Sequence, residues 1–542
     1  MAYPLNSYAF TPGSAGFNYN HDLNQMAAGC MVDGSVNINI RNNYTSARGG
    51  TEIVYSLPEL SPVSSLYEVI DQSFEPRIIS TTEPGNIYKD DVLLKSTGSS
   101  IQNATYVMWN GNLIINGGSH IPQVWDRASA STTDFPTAQM AADWVLDNQY
   151  PEVMVIYGKG NAVRAWATKE TLRGTVLYYS AINDGSSAVP NFRDGDFFYV
   201  STPSDEPLTA LQEFGDKLIF FCETKAFILD DASSIEAEWG YIEAPWDGGA
   251  LSQRVVIKTE NDILCLVRDG TIYSLTAVMA YGDYKISSIT NSANINNFIR
   301  ERFNHPLIDQ MHVVFDPRLR NLKFFGPSSF SQENDTALVY SIDKLPETGW
   351  SVHNNELFKS GYDARCSCTV NSGYRKVLCG DYNGKIWALE DDTLKDGGDL
   401  YPIKIITPFI NNGDFRTTKR FKRGFITVKS PDALSIKVYS RTEESGYSSH
   451  GIEFPSGESV FDLAVWDFSY FESDETLSIK YPINKIGIAI QHIYELAPYL
   501  SEDCARFDFD FWDDGIFCGG FGNSPFDVLT VTTDFTQIAQ RI

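Results

Sequence analysis

Lys376-Val377-Leu378-Cys379 and Gly384-Lys385-Ile386-Trp387 are two short apolar runs separated by a polar turn. The glycine stands just before the second run, and the second run ends in an aromatic residue. Such a pair predicts a β-hairpin, because a tight turn needs glycine, asparagine or aspartate and each flanking run fits a strand. The same phrase recurs as Arg77-Ile78-Ile79 with Gly85-Asn86-Ile87-Tyr88, and as Ile263-Leu264-Cys265-Leu266 with Gly270-Thr271-Ile272-Tyr273. Looser copies are Asn112-Leu113-Ile114-Ile115 with Val124-Trp125, and Lys217-Leu218-Ile219-Phe220-Phe221 with Phe227-Ile228-Leu229. Val176-Leu177-Tyr178-Tyr179-Ser180 marks a further unit, and another runs from His312-Val313-Val314-Phe315 through Leu322-Lys323-Phe324-Phe325 to Leu338-Val339-Tyr340.

The last apolar strands of these units fall near residues 87, 124, 178, 228, 272, 340 and 386. That spacing approaches the period of about 40–50 residues of a β-propeller blade. A small sheet cannot bury both faces alone, so radial stacking has to supply the core. The expectation is an all-β protein with a propeller-like region of six or seven blades over 61–395. A string of Greek-key sandwiches is the competing architecture. Residues 1–60, rich in Asn, Ser, Gly and Tyr, form an N-terminal segment. Residues 396–542 carry longer strands, such as Leu434-Ser435-Ile436-Lys437-Val438-Tyr439, and predict a C-terminal β-rich domain. The two terminal segments together are expected to build one additional domain. A short helix fits only near 294–302.

Composition agrees with a large β protein. Among 542 residues the apolar fraction is 43% and the aromatic fraction 13%, which excludes a disordered chain. Gly 40 and Pro 24 supply turns for many short strands. No stretch approaches eighteen uninterrupted apolar residues, so no membrane-spanning helix is expected. The net charge of −27 excludes a general electrostatic grip on nucleic acid. The opening residues have neither a basic nor an apolar leader region, and the eight cysteines follow no disulfide framework. Reduced thiols in a protein made in a cytoplasm are the expectation.

Several constellations bear on chemistry. Phe507-Asp508-Phe509-Asp510-Phe511 alternates apolar and acidic residues, which reads as a solvated strand face before it reads as a calcium site. Cys366-Ser367-Cys368 lacks the spacing and second ligand pair of structural zinc, and reads as core packing. The seven histidines form no metalloprotease pattern, and no nucleophile elbow or phosphate loop is present. No catalytic residue, cofactor site or metal site is therefore assigned, and the chain is expected not to be an enzyme.

Two features carry the candidate sites. Arg416, Lys419, Arg420, Lys422 and Arg423, with Lys429 beyond, form a basic run in an acidic chain. It reads either as a contact surface for an acidic neighbour or as a solvated strand edge. At Arg48-Gly49-Gly50 two adjacent glycines predict a bend that needs positive φ or a close backbone approach.

The stretch Val32-Asp33-Gly34-Ser35-Val36-Asn37-Ile38-Asn39-Ile40-Arg41, followed by Ser46-Ala47-Arg48-Gly49-Gly50-Thr51, resembles the opening of tail nozzle proteins of short-tailed bacteriophages, also called tail tube B or tail stabilisation proteins. Arg164-Ala165-Trp166, Pro190-Asn191-Phe192, Phe214-Gly215-Asp216-Lys217 and Phe315-Asp316-Pro317-Arg318 are similar phrases. The likeness runs over 10–430. It implies a homohexameric ring in the virion tail, assembled in the bacterial host cytoplasm. The ring would sit below the adaptor, or head–tail connector, with a tail fibre or tailspike as neighbour, and double-stranded DNA would pass through it without sequence-specific contact. The alternative is a glycan-binding or glycan-depolymerising propeller acting as a receptor-binding tail protein. A weaker third reading is a cellular scaffold that binds peptides.

Overall fold

The computed structural model describes residues 6–540, apart from 20–21, 42–43, 160–161, 172–173, 232–235, 245–247, 260–261, 279–282, 355–362, 373–374, 392, 412–415, 430–433, 455–475 and 497–526. Six four-stranded antiparallel meanders follow one another along the chain. We number them blades I to VI; they cover 63–96, 105–134, 153–199, 210–243, 256–288 and 312–354. Blade VII takes three strands from the far end, Cys366–Thr369, Val377–Gly380 and Lys385–Asp391, and its fourth from the N-terminal segment. That fourth strand, Gly50–Ser56, pairs antiparallel with Lys385–Asp391. It falls inside the stretch the sequence reading set apart as 1–60.

The first strand of each blade touches the first strand of the next. Thr105–Trp109, Val153–Lys159, Ala210–Phe214, Val256–Lys258, His312–Asp316 and Cys366–Thr369 follow in that order, and Cys366–Thr369 packs on Val63–Ile70 of blade I. Tyr67 and Tyr106 stack at 5.0 Å between blades I and II, completing the circuit. The molecule is thus a closed seven-bladed propeller. Separate apolar clusters fill the wedges between blades, and Trp125, Trp166 and Trp387 are fully buried in three of them.

The turn glycines behave as the sequence requires. Gly85, Gly270 and Gly384 have φ of 94°, 85° and 76°, a region closed to most side chains. A Cβ at Gly384 would also lie 2.2 Å from the Glu59 carbonyl. The aromatics ending two of these phrases, Tyr88 and Trp387, are buried. In blade VII the Asp381 carboxylate accepts the Asn383 and Lys385 N–H groups, both at 2.8 Å, and the Trp387 indole N–H at 3.0 Å. This aspartate-clasped turn is a signature the sequence reading passed over.

The additional domain is a β-sandwich that mixes the two termini. One sheet runs Ile38–Ile40, Thr45–Ala47, Asp527–Gln540, Thr417–Lys429, Thr476–Gly487, with Asn6–Phe10 also paired to Asp527–Gln540. The other runs Ile403–Ile406, Ile490–Leu496, Leu434–Thr442, Ser445–Phe454. Phe421, Ile426, Val438, Ile452, Tyr481 and Tyr494 lie between them. This core is continuous with that of blades V and VI through Ile38, Phe298, Trp350 and Leu322. The helix expected near 294–302 is Ile295–Arg302, and its Phe298 fills this junction. A second helix, Ala142–Asp147, lies between blades II and III. Among the described residues no helix is long and apolar enough to cross a membrane.

Candidate functional site

The chain crosses between sandwich and propeller at Arg48-Gly49-Gly50, and the residues there explain the two glycines. Neither has positive φ; both satisfy a close approach. A Cβ on Gly49 would lie 2.3 Å from the Asp391 carbonyl oxygen, and one on Gly50 2.0 Å from that of Lys395. Arg48 is fully buried. Its guanidinium forms a bidentate pair with Asp396, donates to Asn37 Oδ1 at 2.8 Å and stacks 3.5 Å over the Tyr401 ring.

A second buried pair lies beside it. Lys323 Nζ, from the second strand of blade VI, donates to Glu390 Oε1 at 2.5 Å, with both side chains almost wholly out of solvent. Glu390 Oε2 accepts the Gly49 N–H at 2.8 Å and Asn39 Nδ2 at 2.9 Å. Burial by itself would raise the Glu390 carboxyl, but the Lys323 ammonium and the other groups facing it, the Gly49 N–H among them, together outweigh it and hold the group well below the usual carboxylate range. His353 Nδ1 lies 3.8 Å from Glu390 Oε1, and burial, reinforced by Lys323, pushes that imidazole down to about 3. His353 is therefore neutral, with the proton on Nε2, which donates to the Ile38 carbonyl at 3.2 Å. Cations and carboxylates satisfy one another here, and the cluster locks the ring closure to the sandwich.

The basic run does not form a strand edge. Thr417–Lys429 is an interior strand, hydrogen-bonded to Thr476–Gly487 on one side and Asp527–Gln540 on the other. The edge interpretation is thus corrected, since the second neighbour comes from the far C-terminus and leaves no local trace. Lys419 points inward, fully buried, with Nζ donating to the Thr417 and Ile488 carbonyls at 3.3 and 3.1 Å. A β-bulge between Phe421 and Arg423 turns two successive residues, Lys422 and Arg423, to the outer face. Arg416, Arg420 and Lys422 are exposed there, and Arg423 is half-buried 5.5 Å from the Phe425 ring centre. Lys480, Pro482 and Ile486 on the neighbouring strand are exposed too. Of Lys429 only the backbone is described.

A patch of opposite character lies across the disc. On the helix Ala142–Asp147, Val145 and Leu146 are exposed, and on the outermost strand of blade III so are Phe197 and Tyr199. Tyr178 connects them, donating to Asp143 Oδ2 at 3.4 Å and packing on Phe197 at 5.9 Å. Exposed Asp147, Asp194 and Asp196 rim the patch. Sequence reasoning missed it. Its signal was an outer strand, Asp196-Phe197-Phe198-Tyr199, with aromatics on both faces.

Among the described residues no group of three His, Cys, Asp or Glu is gathered to hold a metal ion. Cys366 is buried, with Sγ 3.2 Å from the Val63 carbonyl, and burial pushes its thiol up to about 11. Cys368 and Cys379 are driven upward by the same cause. The acidic stretch Phe507-Asp508-Phe509-Asp510-Phe511, with Cys504 and Cys518, lies outside the described residues.

No family model and no curated protein matches the chain. Among solved structures it is similar to PorZ, a surface component of the type-IX secretion system of Porphyromonas gingivalis, at 12% identity and TM-score 0.35, over 74% of this chain and 46% of that one. It is similar to the β-propeller domain of Cps50 (Swd1) of Myceliophteria thermophila at 13% identity and TM-score 0.41, over 63% of this chain and 99% of that one. The extracellular domain of the hybrid two-component system BT3049 of B. thetaiotaomicron matches at 9% identity and TM-score 0.42, over 75% and 53%. The chain thus spans about half the length of the first and third of these structures. The propeller assignment rests on the strand pairing itself.

Proposed function

We propose that the chain is a non-catalytic structural subunit that joins copies of itself head to tail, and that the assembly is the homohexameric tail nozzle of a short-tailed phage. The observation that carries the reading is the placement of two complementary patches. The sandwich, with its basic face, is seated on blades V and VI. The acidic and aromatic patch sits at the boundary of blades II and III, three blades from blade VI in either direction. Opposite charges on opposite flanks favour a heterologous contact, which closes into a ring or continues as a filament. The apolar members, Ile486 and Pro482 against Leu146, Phe197 and Tyr199, supply the desolvated centre that charge alone does not. Six-fold closure, the adaptor above, the tail fibre beside it and the DNA path all come from the family resemblance. The net charge of −27 suits such a path, since repulsion leaves no binding wells for phosphate.

Negative-stain electron microscopy of the purified chain, alone and with its neighbouring tail proteins, tests the proposal. Six-fold rings with a central opening are expected. Monomers in both samples would sink it.

A further inference from the structure

We propose that a cleft between blades I and II binds a neutral, polyhydroxylated ring, one sugar unit of a surface glycan. The cleft has a volume of about 300 Å³ and is lined by Lys95, His120, Gln123, Asp134, Asn148 and Tyr150 among others. That is the lower end of the size range of small-molecule sites.

His120 is the informative residue. It is only 5% exposed, yet apart from a contact with its own backbone neither ring nitrogen has a hydrogen-bond partner. Burial lowers its basicity, so the ring is neutral, with one N–H donor and one bare acceptor. Native proteins rarely leave buried polar atoms so, and each such atom calls for a water or a ligand. The two nitrogens diverge across the ring, so a single hydroxyl can answer one of them, donating to the bare nitrogen or accepting from the N–H.

The charged residues then select against ions. Lys95 Nζ, on the outer strand of blade I, lies 2.6 Å from Asp134 Oδ1, on the outer strand of blade II. An anion drawn to Lys95 meets Asp134, and a cation drawn to Asp134 meets Lys95. Gln123 Nε2 also donates to Oδ1, at 2.9 Å. Both bonds engage the same carboxylate oxygen, so Oδ2 keeps its capacity to accept a ligand hydroxyl. On the far wall Tyr150 donates its hydroxyl to Asn148 Oδ1 at 2.9 Å, which orients the Asn148 amide. The lining thus offers both donors and acceptors, as the hydroxyls of a pyranose ring require. The site does not depend on ring assembly, and a monomeric chain would carry it equally.

Isothermal titration of the full chain with methyl α-glucoside, methyl α-galactoside, methyl α-mannoside and methyl β-N-acetylglucosaminide tests the proposal. Concentrations up to about 20 mM suffice to detect a Kd near 1 mM. At least one of the four should bind, and Asp134→Ala should weaken it about tenfold or more. Asp134 is largely exposed, so that variant should fold; His120→Gln, which keeps a donor and an acceptor, should retain part of the affinity. The proposal is overturned if none of the four binds. Binding that both variants leave unchanged overturns it too, as does preference for glucuronate or glucosamine over the neutral sugars.

Discussion

Replacing Lys323 with methionine removes one buried charge while keeping a side chain of similar length and volume. In the native protein the ammonium sits 2.5 Å from Glu390 Oε1, with both groups almost fully buried. The substitution leaves Glu390 with the Gly49 N–H and the Asn39 amide as donors, but without a countercharge. Breaking a buried pair in this way costs about 3–5 kcal/mol. An independent limit gives a similar size. The stranded carboxylate can instead take up a proton, which at pH 7 costs about 1.4 kcal/mol for each unit above an ordinary pKa near 4.3, or roughly 4 kcal/mol. That second route also fixes a sign. In the variant the folded-state pKa of Glu390 lies above its unfolded value, so the penalty must shrink as pH falls.

Urea denaturation followed by tryptophan fluorescence, at pH 7 and at pH 5, measures both quantities. The loss relative to the parent should be about 3–5 kcal/mol at pH 7, and smaller by about 2–3 kcal/mol at pH 5. A proton landing on the neighbouring His353 neutralises the same excess charge, so it changes the residue but not the sign. A loss below about 1 kcal/mol at pH 7, the worth of a surface pair, would refute the buried-pair argument. A loss equal at the two pH values would refute the stranded carboxylate.

Acid should weaken the parent protein before its carboxylates titrate. Burial pushes His353 and His492 down to about 3, against an unfolded value near 6.5. The unfolded chain therefore binds more protons between those values, and stability falls with pH by up to about 1.4 kcal/mol per unit for each histidine. Urea midpoints at pH 7, 6 and 5 check this, and His492→Gln should flatten the slope. Charge reversal by Arg420→Glu with Lys422→Glu should abolish ring assembly in mass photometry, and Asp147→Lys with Asp196→Lys in the same chain should restore it. Rings that survive the first pair would exclude the basic face from the contact. Gly50→Ala forces a Cβ to within 2.0 Å of the Lys395 carbonyl and should cost about 1–3 kcal/mol. Gly446→Ala, where nothing lies within 4 Å, should stay within about 0.5 kcal/mol of the parent and serves as the control.

What could be read in advance was what neighbouring residues decide. The strands expected near 87, 228, 272 and 386 are Asn86–Lys89, Ala226–Asp230, Ile272–Val278 and Lys385–Asp391. Most follow a glycine or a polar turn whose conformation is set within four residues. The innermost strand Val256–Lys258 is three residues long and shows no alternation to count. The closing strand escaped for another reason: Gly50–Ser56 meets its partner more than three hundred residues later, and no local pattern encodes that pairing. The ionic cluster left one trace, the lysine within Leu322-Lys323-Phe324-Phe325. A charge inside a strand buried along its whole length has to find a countercharge, and its partner Glu390 again lay far along the chain.

The position of that cluster bears on how the subunit would carry load. Domains linked by a single exposed crossing move against each other unless their interface is large and apolar. Here the chain enters the propeller at Arg48-Gly49-Gly50 and leaves it near Asp396, and Arg48 and Asp396 bind each other. Entry and exit are therefore fastened at one point. The adjoining core runs without interruption from Phe421 and Ile436 in the sandwich to Trp350 and Leu322 in blade VI. Opening a hinge there would expose that apolar surface together with two paired charges, each of which is costly to strand. The sandwich and the disc thus act as one rigid body. A contact made on the basic face of the sandwich then fixes the orientation of blades II and III on the far side, where the next copy would dock. In the proposed ring, rigid transmission of that orientation from copy to copy would let a head-to-tail contact close at a fixed number, so loosening the Arg48–Asp396 joint should broaden the distribution of ring sizes before it lowers the affinity between copies.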